Sequence, residues 1–274
     1  MVPRRKLNII PARSLAPNVL TVLALCAGMT SIKFALDEKW ELAVGAVLVA
    51  GLFDMLDGRI ARLVKGTSRF GAELDSLSDV ISFGLAPAIL MFLWTLNVLG
   101  GAGWLIALAF AVCCALRLAR FNVMHAEGVP QSIDYFTGVP APAGAVLALW
   151  PMVLSFQFES AFFREPLVAG VVVGAAAFLM VSQLPTFSFK RLRVRGEHVL
   201  PTLIVVGLLA ASLSVYTWGT ISILSLLYIL SIPLSFRRVR ARDEMPAKDG
   251  DGQRVEPGFQ AGTSDRSGKP PAVH

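Results

Sequence analysis

Four aspartates at helical spacing sit where two apolar runs meet. The string reads Asp54-Met-Leu-Asp57-Gly58-Arg-Ile-Ala61-Arg62, then eight residues, then Gly71-Ala-Glu-Leu-Asp75-Ser-Leu-Ser-Asp79. Residues three or four apart share one side of a helix, so each aspartate pair presents both carboxylates together. An ionised carboxylate beside hydrocarbon is costly and calls for a strong counter-charge. A divalent cation, which favours oxygen ligands, supplies it most cheaply. Two helices packed antiparallel through this end would bring the four carboxylates to one pocket, with room for one or two ions about 3.5–4 Å apart. Gly58 leaves the helix backbone bare for a phosphate or ribose. Ala61 keeps the cleft open, and Arg62 is spaced to grip a phosphate in a bidentate way. Gly71 is expected in the connection, at the turn before the next helix.

The elements that carry these residues belong to a membrane. Of 274 residues, 55% are hydrophobic and 16% charged, against about 25% charged in a soluble domain. Eight mainly apolar runs are predicted as helices, at 18–36, 41–63, 76–98, 102–122, 141–158, 166–184, 199–217 and 219–236. Each is long enough to approach the ~30 Å hydrocarbon thickness. Helix is the default, because lipid offers no partner to an unpaired backbone group. The expected fold is therefore an all-α, polytopic transmembrane bundle of about eight helices. Residues 1–15 read as a basic leader, 16–236 as the transmembrane domain, and 237–274 as a basic, disordered tail. The last two helices are expected to part at a short turn around Trp218-Gly219.

Charge orients the bundle. Lys and Arg cluster before the first helix, around the second connection, at the end of the fourth helix, between the sixth and seventh, and in the tail. An even count of spans puts 22 of the 25 basic residues on one side, leaving Lys33, Lys39 and Arg164 on the other. The positive-inside rule then assigns both termini and the aspartates to the cytoplasm. The net charge of +6 suits anionic headgroups. No basic stripe interleaved with aromatics suggests nucleic acid. Cys26, Cys113 and Cys114 fall inside predicted spans without metal spacing and read as packing residues. Small residues at Gly170-xxx-Gly174 and from Ala143 to Ala148 suit close helix packing, within one chain or between two.

The aspartate string matches the signature of the CDP-alcohol phosphatidyltransferases, D-x2-D-G-x2-A-R-x8-G-x3-D-x3-D, at every position. The resemblance implies a bundle with a six-helix core, a homodimer, and a site that opens to the cytoplasm. It implies transfer of a phosphatidyl or related group from a CDP-linked donor to an alcohol, with release of CMP. By that resemblance Asp54, Asp57 and Asp75 bind metal, two Mg²⁺ or Mn²⁺ ions being expected. Asp79 binds the second ion and is the general base. Gly58, Arg62 and Ser68 face the CDP moiety, joined by Ala61, Gly71 and the Pro17-Asn18-Val-Leu-Thr21 element of the first helix. This agrees with the chemistry of displacement at phosphorus, which needs neutralised charge, an aligned nucleophile and a base.

The acceptor is read from three further segments. Asp75-Ser-Leu-Ser-Asp79-Val-Ile-Ser-Phe-Gly84-Leu-Ala-Pro87, Arg117-Leu-Ala-Arg120-Phe-Asn122 and Tyr135-Phe136-Thr-Gly138-Val-Pro140-Ala-Pro142 resemble the integral-membrane type of phosphatidylserine synthase. That resemblance implies CDP-diacylglycerol and L-serine as substrates, in a bacterial inner membrane. Arg117 and Arg120, three apart, suit the carboxylate of serine; Ser82 and Asn122 add hydrogen-bonding groups. Glycerol 3-phosphate would also welcome two arginines, so phosphatidylglycerophosphate synthesis is the nearest rival. His125 is expected in the loop that follows. An intramembrane prenyltransferase also uses aspartate pairs but lacks the Asp-Gly-x-x-Ala-Arg string. A divalent-cation transporter needs polar groups across the whole bilayer, whereas 44–50 and 90–94 are apolar.

Overall fold

The computed structural model describes residues 15–64, 69–127, 135–158, 160–182, 185–187 and 199–243. Ser68, the leader up to residue 14 and the tail from 244 lie outside the described residues. The helices are α1 (Leu15–Leu36), α2 (Trp40–Val64), α3 (Arg69–Asp79), α4 (Ala86–Trp94), α5 (Gly101–Ala126), α6 (Ala141–Gln157), α7 (Pro166–Val181), α8 (Val199–Val215) and α9 (Thr217–Asp243). A π-helical turn, Val80–Leu85, joins α3 to α4 without a break. The described residues thus form eight helical rods, as the hydropathy predicts. Leu15–Leu36, Phe70–Trp94 and Gly101–Met124 are each long and apolar enough to cross a membrane.

Several boundaries differ from expectation. The third rod starts at Arg69, so Gly71 lies inside α3 rather than in the connection. The charges of Arg69 and Glu73 and the intervening Gly71 hid this turn and a half from a hydropathy reading. α5 runs on to Ala126, which puts the His125 backbone in the helix and not in a loop. The chain bends at Tyr216, and Trp218-Gly219 belong to α9. The bundle also carries two short strands, β1 (Tyr135–Thr137) and β2 (Pro185–Phe187), antiparallel with Phe136 opposite Thr186. They clip the α5–α6 connection to the α7–α8 connection, and β2 packs against α9.

The first rod organises the site. Its buried residues are Pro17, Thr21, Ala24, Gly28, Ser31 and Ala35, alternating four and three apart. That is a single stripe of small side chains, the pattern that lets membrane helices approach closely. α2 packs along α1 more extensively than any other pair of elements. α3, the π turn and α4 pack on α1 as well. Hydroxyls fasten this seam. Ser78 Oγ donates to the Thr21 carbonyl (3.1 Å) and Ser82 Oγ to the Ala24 carbonyl (3.2 Å). Ser31 Oγ donates to the carbonyl of Gly28 on its own helix (2.6 Å). Interhelical hydrogen bonds of this sort contribute about 0.6 kcal/mol each. Their larger effect is on register, because an unpaired hydroxyl in lipid is costly.

Behind the seam lies an apolar core that includes Phe83, Leu90, Met91, Phe110, Leu149, Met152 and Met180, each under 2% exposed. Phe83 comes from the π turn, so the residues just after Asp79 are locked into the centre of the bundle.

Gly28 marks the tightest approach. A Cβ there would lie 2.8 Å from the backbone Cα of Ser82, which cannot move aside like a side-chain tip. A Cβ on Gly45 of α2 would meet nothing within 4 Å. Gly28→Ala is therefore expected to destabilise the protein by about 1–3 kcal/mol, seen as a lower thermal midpoint in detergent. Gly45→Ala should leave the midpoint unchanged or raise it, since Ala favours a helix over Gly by about 1 kcal/mol. Equal effects would contradict the packing described.

Candidate functional site

Asp54 and Asp57 lie in the last three turns of α2, and Asp75 in the second turn of α3. Each offers one carboxylate oxygen, and the three oxygens lie within 4.8 Å of one another. At that separation two unit charges repel by ~3 kcal/mol at an effective dielectric of about 20. Three such pairs would push the helix ends apart without a cation between them. Among the described residues the ion pair within 4 Å is Lys33–Asp37, near the opposite end of α1. Among the described residues no lysine or arginine pairs directly with the cluster.

The surroundings of each oxygen fit a hard divalent cation. Asp57 is 5% exposed. Its Oδ2 lies 2.7 Å from Thr21 Oγ1, which is also 3.1 Å from the Pro17 carbonyl. The hydroxyl has one proton and serves one acceptor at a time, the carboxylate being the closer and the charged one. Thr21 thereby fixes one oxygen of Asp57. Asp75 Oδ1 is buried and lacks a hydrogen-bond partner among the described residues. A buried carboxylate oxygen without a partner is unusual; beside two further carboxylates it has the chemistry of a metal ligand. The aspartates thus form a cluster able to coordinate a divalent cation.

Asp79 stands apart from that triplet. It follows Asp75 by one turn, at the junction of α3 and the π turn. It is in electrostatic reach of Asp54, Asp75 and Asp57, and of Arg117 on α5. The π turn carries an extra residue relative to an α-helical turn, a device often found at functional sites. Ala86 N–H donates to the Ile81 carbonyl across it.

A pocket of about 200 Å³ opens beside the triplet, walled by three helices. α1 contributes Pro17, Asn18 and Thr21; α2 contributes Asp57, Gly58, Ala61 and Arg62; α3 contributes Gly71, Ala72 and Asp75. A Cβ on Gly58 would meet nothing within 4 Å, so the space above its backbone is open. Arg62 is exposed, and its Nε donates to the Gly58 carbonyl (2.9 Å), which orients the guanidinium along the pocket wall. Of the residues expected to face a CDP group, all but the undescribed Ser68 line this one pocket. Ala72 escaped the sequence reading, although its place three residues before Asp75 puts it on the same helix side.

The expected acceptor residues divide. Arg117 is half-buried, its Nε has no hydrogen-bond partner among the described residues, and it lies in reach of Asp79. Arg120, one turn on, is exposed. Asn122 Nδ2 donates to Ser76 Oγ (2.8 Å) and ties α5 to α3. Ser82 is fully buried with its hydroxyl given to α1. Of the two arginines, Arg117 is thus the half-buried one, in electrostatic reach of Asp79.

Comparison with known proteins gives this arrangement its context. The family described as CDP-alcohol phosphatidyltransferase matches residues 14–188, and CDP-alcohol phosphatidyltransferase 2 matches residues 197–233. The CDP-diacylglycerol–serine O-phosphatidyltransferase of Mycobacterium tuberculosis is 34% identical over 239 residues, covering 86% of this chain and 82% of that protein. The enzyme of that name from Helicobacter pylori is 36% identical over 182 residues, 65% of this chain and 74% of its own. The one from Methanocaldococcus jannaschii is 47% identical over 130 residues, 47% of this chain and 56% of its own. With the whole aspartate signature present and folded into one pocket, this chain belongs to the CDP-alcohol phosphatidyltransferase family.

Proposed function

We propose that this protein is a CDP-diacylglycerol–serine O-phosphatidyltransferase. It moves the phosphatidyl group of CDP-diacylglycerol to the hydroxyl of L-serine and releases CMP. The observation that carries the reading is the three-carboxylate cluster opening on a pocket built from the donor-side residues of α1, α2 and α3. The names of the relatives, three of them serine transferases from distant organisms, support serine as the acceptor.

Asp54, Asp57 and Asp75 hold the metal, Mg²⁺ or Mn²⁺, with Asp79 completing the site for a second ion. When bound, the ions neutralise the diphosphate oxygens and favour departure of CMP. The protein's own residues do the rest. Thr21 holds Asp57 in place. The bare backbone at Gly58 lets the diphosphate come close, with Ala61, Gly71 and Asn18 shaping its berth. Arg62 and Ser68 contact the CDP moiety. Arg117 receives the serine carboxylate, aided from the outer side by Arg120. Asn122 and Ser82 support the acceptor wall by anchoring α5 and the π turn. Asp79 accepts the proton of the serine hydroxyl as the serine Oγ–P bond forms and the P–O bond to CMP breaks.

Six of the helical rods fall within residues 14–188, which supports a six-helix core with α8 and α9 added to it. The one-sided placement of basic residues supports a cytoplasmic site and cytoplasmic termini, and the bacterial relatives support a bacterial inner membrane. The family resemblance also favours a homodimer. Gly174 is exposed on α7, whereas a Cβ on Gly170 would lie 3.2 Å from Ile106 within the chain, so Gly174 is the better candidate for contact with a second copy.

Purified protein in detergent, given CDP-diacylglycerol and Mg²⁺ or Mn²⁺, should release CMP with L-serine and not with glycerol 3-phosphate, myo-inositol or inositol phosphate. EDTA should abolish the release. Release with glycerol 3-phosphate alone would keep the chemistry and overturn the acceptor. Asp79→Asn should lower turnover by at least about a hundredfold while CDP-diacylglycerol still binds. Turnover near wild type would remove Asp79 as the base.

A further inference from the structure

Three deeply buried polar residues join the aspartate helices through α1. Ser78 Oγ of α3 donates to the Thr21 carbonyl (3.1 Å), and Thr21 Oγ1 donates to Asp57 Oδ2 of α2 (2.7 Å). Ser78, Thr21 and Asp57 are each 5% exposed or less, where a hydrogen bond is stronger than in water. One turn further on, Ser82 Oγ donates to the Ala24 carbonyl (3.2 Å). The two serine contacts fix the register of α1 against the rod that carries Asp75. The height of the Thr21 hydroxyl beside Asp57 is set by that register rather than by Thr21 alone.

The hydroxyl also lies 3.1 Å from the Pro17 carbonyl, the partner that a helical threonine ordinarily finds on its own helix. Here the carboxylate is nearer and charged, so it accepts the hydrogen bond. That contact bears on which cation the cluster takes. Ca²⁺ gathers about six to eight oxygens and commonly draws two from one carboxylate. Mg²⁺ is smaller and demands a near-ideal octahedron, and Mn²⁺ shares the octahedral oxygen preference. Asp57 contributes one oxygen to the cluster. Turning both of its oxygens on one ion would strain the bond to Thr21, whose helix is held in place.

The geometry points to Thr21 as a cation-selecting residue: its hydroxyl, held in register by Ser78, keeps Asp57 to one ligand oxygen and so favours Mg²⁺ or Mn²⁺ over Ca²⁺. This rests on the reading of the aspartates as a divalent-cation site. In this role Thr21 is a positioning residue that acts through Asp57, as the groups behind a metal ligand do. Discrimination between cations then comes from α1, a helix that carries no carboxylate of the cluster.

The probe is Mn²⁺, followed by electron paramagnetic resonance on the full chain in detergent, with Ca²⁺ added as competitor and no nucleotide or lipid donor present. Thr21→Val keeps the outline of the side chain and removes the hydroxyl. It should weaken Mn²⁺ binding by about tenfold and Ca²⁺ binding much less, so the preference for Mn²⁺ falls by nearly the same factor. Thr21→Ser keeps the hydroxyl and should hold the preference within about twofold of wild type. Ser78→Ala frees the register and should lower the preference by about threefold. An unchanged preference in Thr21→Val, an equal loss of both ions included, would overturn the proposal and leave Thr21 a packing residue. A Thr21→Ser protein that behaves like Thr21→Val would overturn it as well. Should Thr21→Val not fold, Ser78→Ala decides by the same ratio, and an unchanged preference there sinks the proposal. Failure of the cation reading itself would be seen in the wild-type protein, as no Mn²⁺ binding before any substitution is made.

Discussion

Mutual repulsion among Asp54, Asp57 and Asp75 is the constraint on which the structure turns. Three carboxylates from two helices, with oxygens within 4.8 Å, form an arrangement that a low-dielectric bundle would expel. Among the described residues no cation of their own helices forms an ion pair with them. The compensation comes in two forms. One is structural, because α1 grips both helices through its small-residue stripe and its hydroxyl contacts. The other is chemical, because the charge cluster has the composition and spacing of a divalent-cation site. A divalent cation held there would offset the repulsion among the crowded carboxylates.

This explains why a helix without any of the four aspartates is central. α1 lines the pocket with Pro17, Asn18 and Thr21. It receives the side-chain hydroxyls of Ser78 and Ser82 from the rod that carries Asp75 and Asp79. Thr21 does both jobs, since its side chain meets Asp57 and its carbonyl takes the hydrogen bond from Ser78. The π turn then sets the residues after Asp79 into the core through Phe83. The aspartate-bearing end and the packed end of that rod are consequently one continuous piece. Association here relies on close packing and hydrogen bonds, because lipid offers little hydrophobic drive between helices.

The pocket beside the aspartates was legible in the sequence because its signals are local. Asp54, Asp57, Gly58, Ala61 and Arg62 lie within three turns of one helix, so spacing alone aligns them. Asn18 and Thr21 were legible through the family resemblance. Eight apolar runs gave eight rods for the same reason, since membrane spans are written as continuous stretches. The rest depends on contacts distant in sequence. The start of α3 was hidden because Arg69 and Glu73 interrupt its first turns with charge. The π turn leaves no mark in the order of residues. The pairing of β1 with β2 joins three-residue strands some 50 positions apart. Arg117 and Arg120 were read as equivalent from their spacing, and only burial separates them.

The most direct test of the account is binding of Mn²⁺ to the purified protein in detergent, followed by electron paramagnetic resonance without any nucleotide or lipid donor. If the three carboxylates form one cation site, Asp54→Asn, Asp57→Asn and Asp75→Asn should each weaken Mn²⁺ binding by about tenfold or more. Asp37→Asn, in the turn between α1 and α2 at the other end of the bundle, should leave it unchanged. Wild-type affinity in any of the three site variants would contradict the convergence of α2 and α3 on a shared ion.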